Sequence, residues 1–64
     1  MAFTRDYPDQ VVYVVEVNGE NKYYPTIPED NEDNRTLSLG AAQKYNEGAQ
    51  IYTLDADGVN KTAL

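Results

Sequence analysis

Residues 11–24 read "VVYVVEVNGENKYY". Val11–Val17 is β-branched and aromatic, the composition of a strand. It runs into Asn18-Gly19, the strongest short-range hairpin signal, because both central positions of a type I′ turn need φ > 0. Residues 20–24, "ENKYY", then form the returning strand, and Pro25 ends its pairing by removing a donor. Val11–Val17 is also the only segment apolar on both faces. Val11, Tyr13, Val15 and Val17 point one way; Val12 and Val14 point the other. A strand of that kind belongs in the middle of a sheet.

Outward from the hairpin, residues 25–36, "PTIPEDNEDNRT", read as a polar loop, because two prolines and an acidic cluster exclude a regular element. Ser38 is placed to cap a short helix over 39–47, and Gly48 to end it as a C′ glycine. Leu39, Ala42 and Tyr45 supply its apolar stripe, while Gly40 weakens it by roughly 1 kcal/mol relative to Ala. Residues 49–55, "AQIYTLD", predict a third strand. Asp57-Gly58 is a second turn signal, and "VNKTAL" returns as a short fourth strand.

A right-handed crossover through the helix places the third strand beside the first and parallel to the second. The expected fold class is α+β, ββαβ(β), with residues 1–64 a single domain. Its small antiparallel sheet has the order 2-1-3, with 4 outside where the last segment pairs, and one short helix covers one face. The other face then carries Val12, Val14 and Tyr23, which the turn sets opposite Val14. Left uncovered, that patch is an interaction surface. The alternative is that the N-terminal arm, with Phe3 and Tyr7, folds over it.

Composition excludes much chemistry. The 64 residues contain no cysteine, histidine or tryptophan. Disulfides, thiolate metal sites and the usual general base are therefore absent. Ser38 is the only serine and lacks a base to activate it. Carboxylates in loops of so small a chain stay ionised, which leaves no acid with a raised pKa for glycosidase-type work. An enzyme and a cofactor are not expected. "DADGVN" at 55–60 shares acids and a glycine with an EF-hand loop. Its glycine stands fourth rather than sixth, however, and no glutamate follows at a twelfth position. No metal site is expected, at most weak calcium binding by "EDNEDN".

Eleven acids against five bases give a net charge of −6. Direct nucleic-acid binding and an anionic membrane surface are disfavoured, since both need Lys and Arg clusters. The N-terminus lacks the basic start and apolar core of a signal peptide, so a cytoplasmic location is expected. Duplex DNA carries one charge per ~1.7 Å, so the eleven carboxylates match only ~19 Å of it. That leaves a local mimic rather than a whole-surface one. It centres on Glu29, Asp30, Glu32 and Asp33, with Asp6 and Asp9 from the arm, unless the acidic run is only a solvated connection. Six tyrosines accompany the acids, and two or three of them are expected at the surface, where Tyr favours interfaces.

In size, charge and element order the chain resembles the small acidic sheet-plus-helix proteins by which phages block host enzymes, some by occupying nucleic-acid-binding surfaces. The expected function is a small acidic non-enzymatic binding protein, an inhibitor or modulator of that type. It would occlude a basic, for example nucleic-acid-binding, surface of a larger protein. Glu29, Asp30, Glu32, Asp33, Tyr23, Val12 and Val14 are the expected partner-binding residues. The alternative is a structural or assembly subunit, a virion or complex component, packing through the apolar sheet face. A plain homodimer is a third reading.

Overall fold

The computed structural model describes residues 2–64. Its elements are β1 (Val12–Val17), β2 (Glu20–Pro25), α1 (Glu32–Tyr45), β3 (Tyr52–Leu54) and β4 (Lys61–Ala63). The sheet order is β2-β1-β3-β4, and every neighbouring pair is antiparallel. The α+β class, the central place of β1 and the outer fourth strand are as the residues predict.

Asn18 and Gly19 adopt φ of 53° and 81°, the two positive values of a type I′ turn. The turn sets Val17 opposite Glu20 and Val14 opposite Tyr23. Hydrogen-bonded pairs then alternate with non-hydrogen-bonded ones. The Thr26 N–H reaches the Val11 carbonyl at 2.9 Å, one step past the strand. Pro25 therefore sits at a non-hydrogen-bonded position, where its missing N–H costs nothing. The expectation that Pro25 stops the pairing is corrected: β2 includes it, and the pairing runs on to Thr26.

The helix begins seven residues earlier than the sequence suggests. Asn31 is its N-cap, and its side chain accepts the Asn34 N–H at 2.8 Å. Glu32 and Asp33 occupy the first turn and Lys44 the last, which matches both ends of the helix dipole. The "polar loop" over 25–36 is thus corrected to a loop of 26–31 and a helix start. Ser38 is not a cap. It lies mid-helix, and its hydroxyl donates to the Pro25 carbonyl at 2.9 Å. Tyr45 is also corrected: it is 70% exposed. At 100° per residue, the i, i+3, i+6 series has drifted off the core by its third member. Asn46 takes the inward place instead, donating through Nδ2 to the Tyr24 hydroxyl and the Ala42 carbonyl. Gly48, at φ 79°, stands two residues beyond the cap at Asn46.

Two small cores flank the sheet. On the helix side, Tyr13, Val15, Ala42 and Ile51 are buried, with Val11, Val17, Tyr24 and Leu39 against them. On the other side, Val12, Val14 and Leu54 are buried beneath Phe3, Tyr23 and Tyr52. Each fully buried valine contributes ~1.5–3 kcal/mol. The second face is therefore covered, and the expectation of an open apolar face is corrected in favour of the folded-over arm. Phe3 stacks on Tyr23 at 4.8 Å between ring centroids. Lys61 covers the remaining part, with its ammonium 5.1 Å over the Tyr52 ring and bound to Glu16 and Asn21.

Polar contacts fasten the arm. Arg5 donates to the carbonyls of Gln10, Asp55 and Leu54 at 2.8, 3.0 and 2.8 Å. The Tyr7 hydroxyl meets Thr26, as does the Gln10 amide. Thr26 and Gln10 are buried, and all their side-chain polar atoms are satisfied, so their burial is tolerated. Tyr7 belongs to this network rather than to the apolar cover.

Candidate functional site

The acidic segment is built around the start of α1. Asp30 and Arg35 form a two-pronged ion pair, Nε to Oδ1 and Nη2 to Oδ2, each 2.6 Å. The hydrogen bonds from Arg35 hold the Asp30 carboxyl below its ordinary range; desolvation opposes them, and the Arg35 charge adds a still smaller lowering. The same contacts raise the Arg35 guanidinium further above its already high value. The Glu29 carbonyl accepts the Asn34 amide at 2.8 Å, so the backbone of the loop is tied to the helix.

Of the four carboxylates, Asp30 is thus spent on a local pair. Glu29, Glu32 and Asp33 are exposed and, among the described residues, meet no cation. Glu32 and Asp33 also have a local task, because acids in a first turn stabilise the helix. The other three expected partner-binding residues are not with them. Val12 and Val14 are 1% and 0% exposed and offer no surface to a partner; Tyr23 is half-buried beneath Phe3. Of the six tyrosines only Tyr45 is exposed, fewer than the composition suggests.

A feature absent from the sequence reading lies beside the acids. Between the outer strand β2 and α1 runs an apolar groove of about 310 Å³, lined by Tyr23, Tyr24, Pro25, Ile27, Leu37 and Ala41, with Asn34 and Ser38 between them. Ile27 and Leu37 are 65% and 70% exposed. Leu37, Ala41 and Tyr45 recur every fourth residue, so they form a stripe next to the core-facing one. The signal was in the sequence, but it is visible only when the helix starts at Glu32. The Ile27–Pro28 peptide beside it is cis.

The "DADGVN" segment is a hairpin connection between β3 and β4. The Asp57 carboxylate accepts the N–H groups of Val59 and Asn60 at 2.9 Å each and the Asn60 amide at 2.6 Å. These bonds hold its pKa below the ordinary carboxylate value. Asp55 accepts the Thr62 hydroxyl. Among the described residues, no three Asp or Glu side chains converge as metal ligands would, and no helix is long and apolar enough to cross a membrane. No protein-family model, curated protein or solved structure matches this chain.

Proposed function

We propose that this is a non-enzymatic binding protein that occludes a basic surface of a larger protein, with Glu29, Glu32 and Asp33 as the electrostatic contact. One observation carries the reading. Of eleven carboxylates, only Asp30 and Glu16 meet a cation among the described residues, which leaves nine unneutralised. Three of the nine crowd into positions 29–33. Charge of this kind steers association and selects the sign of the partner more than it sets affinity.

Dimensions support a local contact over imitation of a whole duplex. The molecule measures 28 × 25 × 16 Å. A DNA rod 28 Å long carries ~16 charges, against eleven carboxylates here and a net of −6. The Ser38 hydroxyl is committed to the Pro25 carbonyl, which supports a role without nucleophilic catalysis. The rival reading, a structural subunit packing through the apolar sheet face, is less favoured, because Phe3 lies against Tyr23 and Lys61 over Tyr52 on that face.

The test is retention of proteins from a lysate on the immobilised chain over a salt gradient, with a Glu29→Lys, Glu32→Lys, Asp33→Lys triple variant beside it. Retention should fall steeply with salt and vanish in the variant. Equal retention by both, with no salt dependence, overturns the reading.

A further inference from the structure

We infer that the groove between β2 and α1 receives a basic peptide segment of the partner that carries one bulky apolar side chain, seated between Ile27 and Leu37. The inference rests on the acidic-surface reading and adds to it where the partner's chain lies. The first observation is the lining. Tyr24, Pro25, Ile27, Leu37 and Ala41 make the wall mostly apolar, and two of its large aliphatic side chains are mostly open to water. The core does not need them there, since Ala42 and Leu39 already face the sheet.

The second observation is charge. At the groove's N-terminal end, Asn34 lines the wall and binds the Glu29 carbonyl. Asp33 precedes Leu37 by one helical turn, on the same side of α1. The Glu29 and Asp33 carboxylates are exposed and, among the described residues, without a cation. Lysine or arginine beside the apolar anchor would meet them. A second copy of this chain would instead bring another net charge of −6 to the same place, so a basic segment is the better match.

The third observation is the strand edge. Tyr23, which lines the groove, lies in a non-hydrogen-bonded pair with Val14, so its N–H and carbonyl point away from β1 at the free edge of the sheet. The Pro25 carbonyl is already held by Ser38. An extended segment therefore finds one residue's worth of backbone pairing at Tyr23, with the side-chain pocket beside it.

The probe is a synthetic peptide of about ten residues, mostly Lys and Arg around a single Leu, read by amide chemical-shift changes in the labelled protein. Controls carry Ser for the Leu, or Glu for every Lys and Arg. The Leu peptide should shift Tyr24, Ile27, Leu37 and Ala41 saturably, and the Ser peptide should bind about tenfold more weakly, as expected for loss of an anchor. Leu37→Glu should remove the groove shifts. The exposure of Leu37 keeps that variant folded, and its melting curve checks this. No shift up to about 1 mM peptide, or equal binding of the Leu and Ser peptides, overturns the groove. So does equal binding of the acidic peptide, or groove shifts that follow protein concentration alone, the sign of a second copy. The lysate experiment separates the two readings. If charge reversal abolishes retention and Leu37→Glu leaves it unchanged, the acidic surface stands and the groove falls. If charge reversal changes nothing, the acidic surface itself has failed.

Discussion

Phe3 and Gly58 meet backbone to backbone. The Phe3 N–H donates to the Gly58 carbonyl at 2.9 Å, and a Cβ on Gly58 would stand 2.5 Å from the Phe3 carbonyl oxygen. Gly58 also holds φ at +74°. One position thus serves the β3–β4 turn and the docking of the arm that covers Val12 and Val14. Gly58→Ala should therefore cost more than left-handed strain alone, which is ~1–2 kcal/mol. Gly48→Ala is the control, because Gly48 has φ +79° and open space around it. Thermal melting should rank Gly58→Ala well below Gly48→Ala, and the Phe3 amide should exchange faster only in the former. Equal melting temperatures would show that the arm does not depend on this contact.

The start of α1 gives a second prediction. Asn31→Ala removes the cap on the Asn34 N–H and should cost ~1 kcal/mol, while Asn31→Ser or Asn31→Asp should recover most of it. Ser38→Ala should lower stability for another reason, the loss of the bond to the Pro25 carbonyl, and no capping residue at 38 other than Thr should restore it. Chemical denaturation of these variants, with Ser38→Asp and Ser38→Thr beside them, checks the pattern. Rescue of Ser38→Ala by Asp would return the cap to Ser38.

The hairpin was legible because its cause is local: Asn18 and Gly19 suit positive φ, and the flanking residues suit strands. Sheet order followed from one handedness rule and the two-sided apolarity of Val11–Val17. The helix start was missed because Glu32–Leu37 has no core-facing apolar residue to mark a stripe; Leu37 faces water. Asn31 followed by Glu32 and Asp33 is a capping signal, but the prolines at 25 and 28 point equally to a loop. The arm was undecidable from the sequence, since Arg5 finds its carbonyls at Leu54 and Asp55, some fifty residues away. For the candidate site, the sequence supplied the charges but not their separate roles. Only the folded loop shows that Asp30 is neutralised while, among the described residues, Glu29, Glu32 and Asp33 meet no cation. Nothing in the structure requires a glycine at position 40.

Asp57 supplies a pH dependence. Its folded pKa lies below the ordinary value because Val59, Asn60 and the Asn60 amide donate to it. A depressed carboxylate contributes stability that is fully present above its unfolded pKa, near 4, and lost as pH falls through the lower folded value. Asp57→Asn keeps one acceptor oxygen but opposes its NH₂ to that of Asn60. The melting-temperature gap between Asp57→Asn and the parent should be full at neutral pH and close as pH falls below about 4. Asp30 is also depressed, but it is common to both proteins and cancels in the gap. A gap independent of pH would mean that the Asp57 charge plays no part in the turn.

Gly19→Val should be among the most damaging single changes in the sheet. Gly19 stands at φ 81°, where a β-branched residue is a steric outlier. The turn it closes also sets the whole β1–β2 register. For a domain of this size, with ~3–5 kcal/mol to lose, the change should leave a largely unfolded chain by circular dichroism. A cooperative melt within a few degrees of the parent would show that the register is held by the cores instead.

Arg5 offers the sharpest test of what fastens the arm. Its guanidinium spreads three hydrogen bonds over the carbonyls of Gln10, Leu54 and Asp55, and thereby joins the arm to the end of β3. Charge alone does not explain this, since among the described residues no carboxylate pairs with Arg5. The planar fork does, because its N–H groups diverge at fixed angles that a lysine ammonium cannot copy. Arg5→Lys should therefore be nearly as harmful as Arg5→Met, with each losing ~1.5–3 kcal/mol for bonds made by a charged donor. The loss should be accompanied by exposure of Val12 and Val14, read as binding of a hydrophobic dye before the main unfolding transition. If Arg5→Lys matches the parent while Arg5→Met falls, a positive charge near the β3 end is enough. The three-carbonyl fork would then be dispensable.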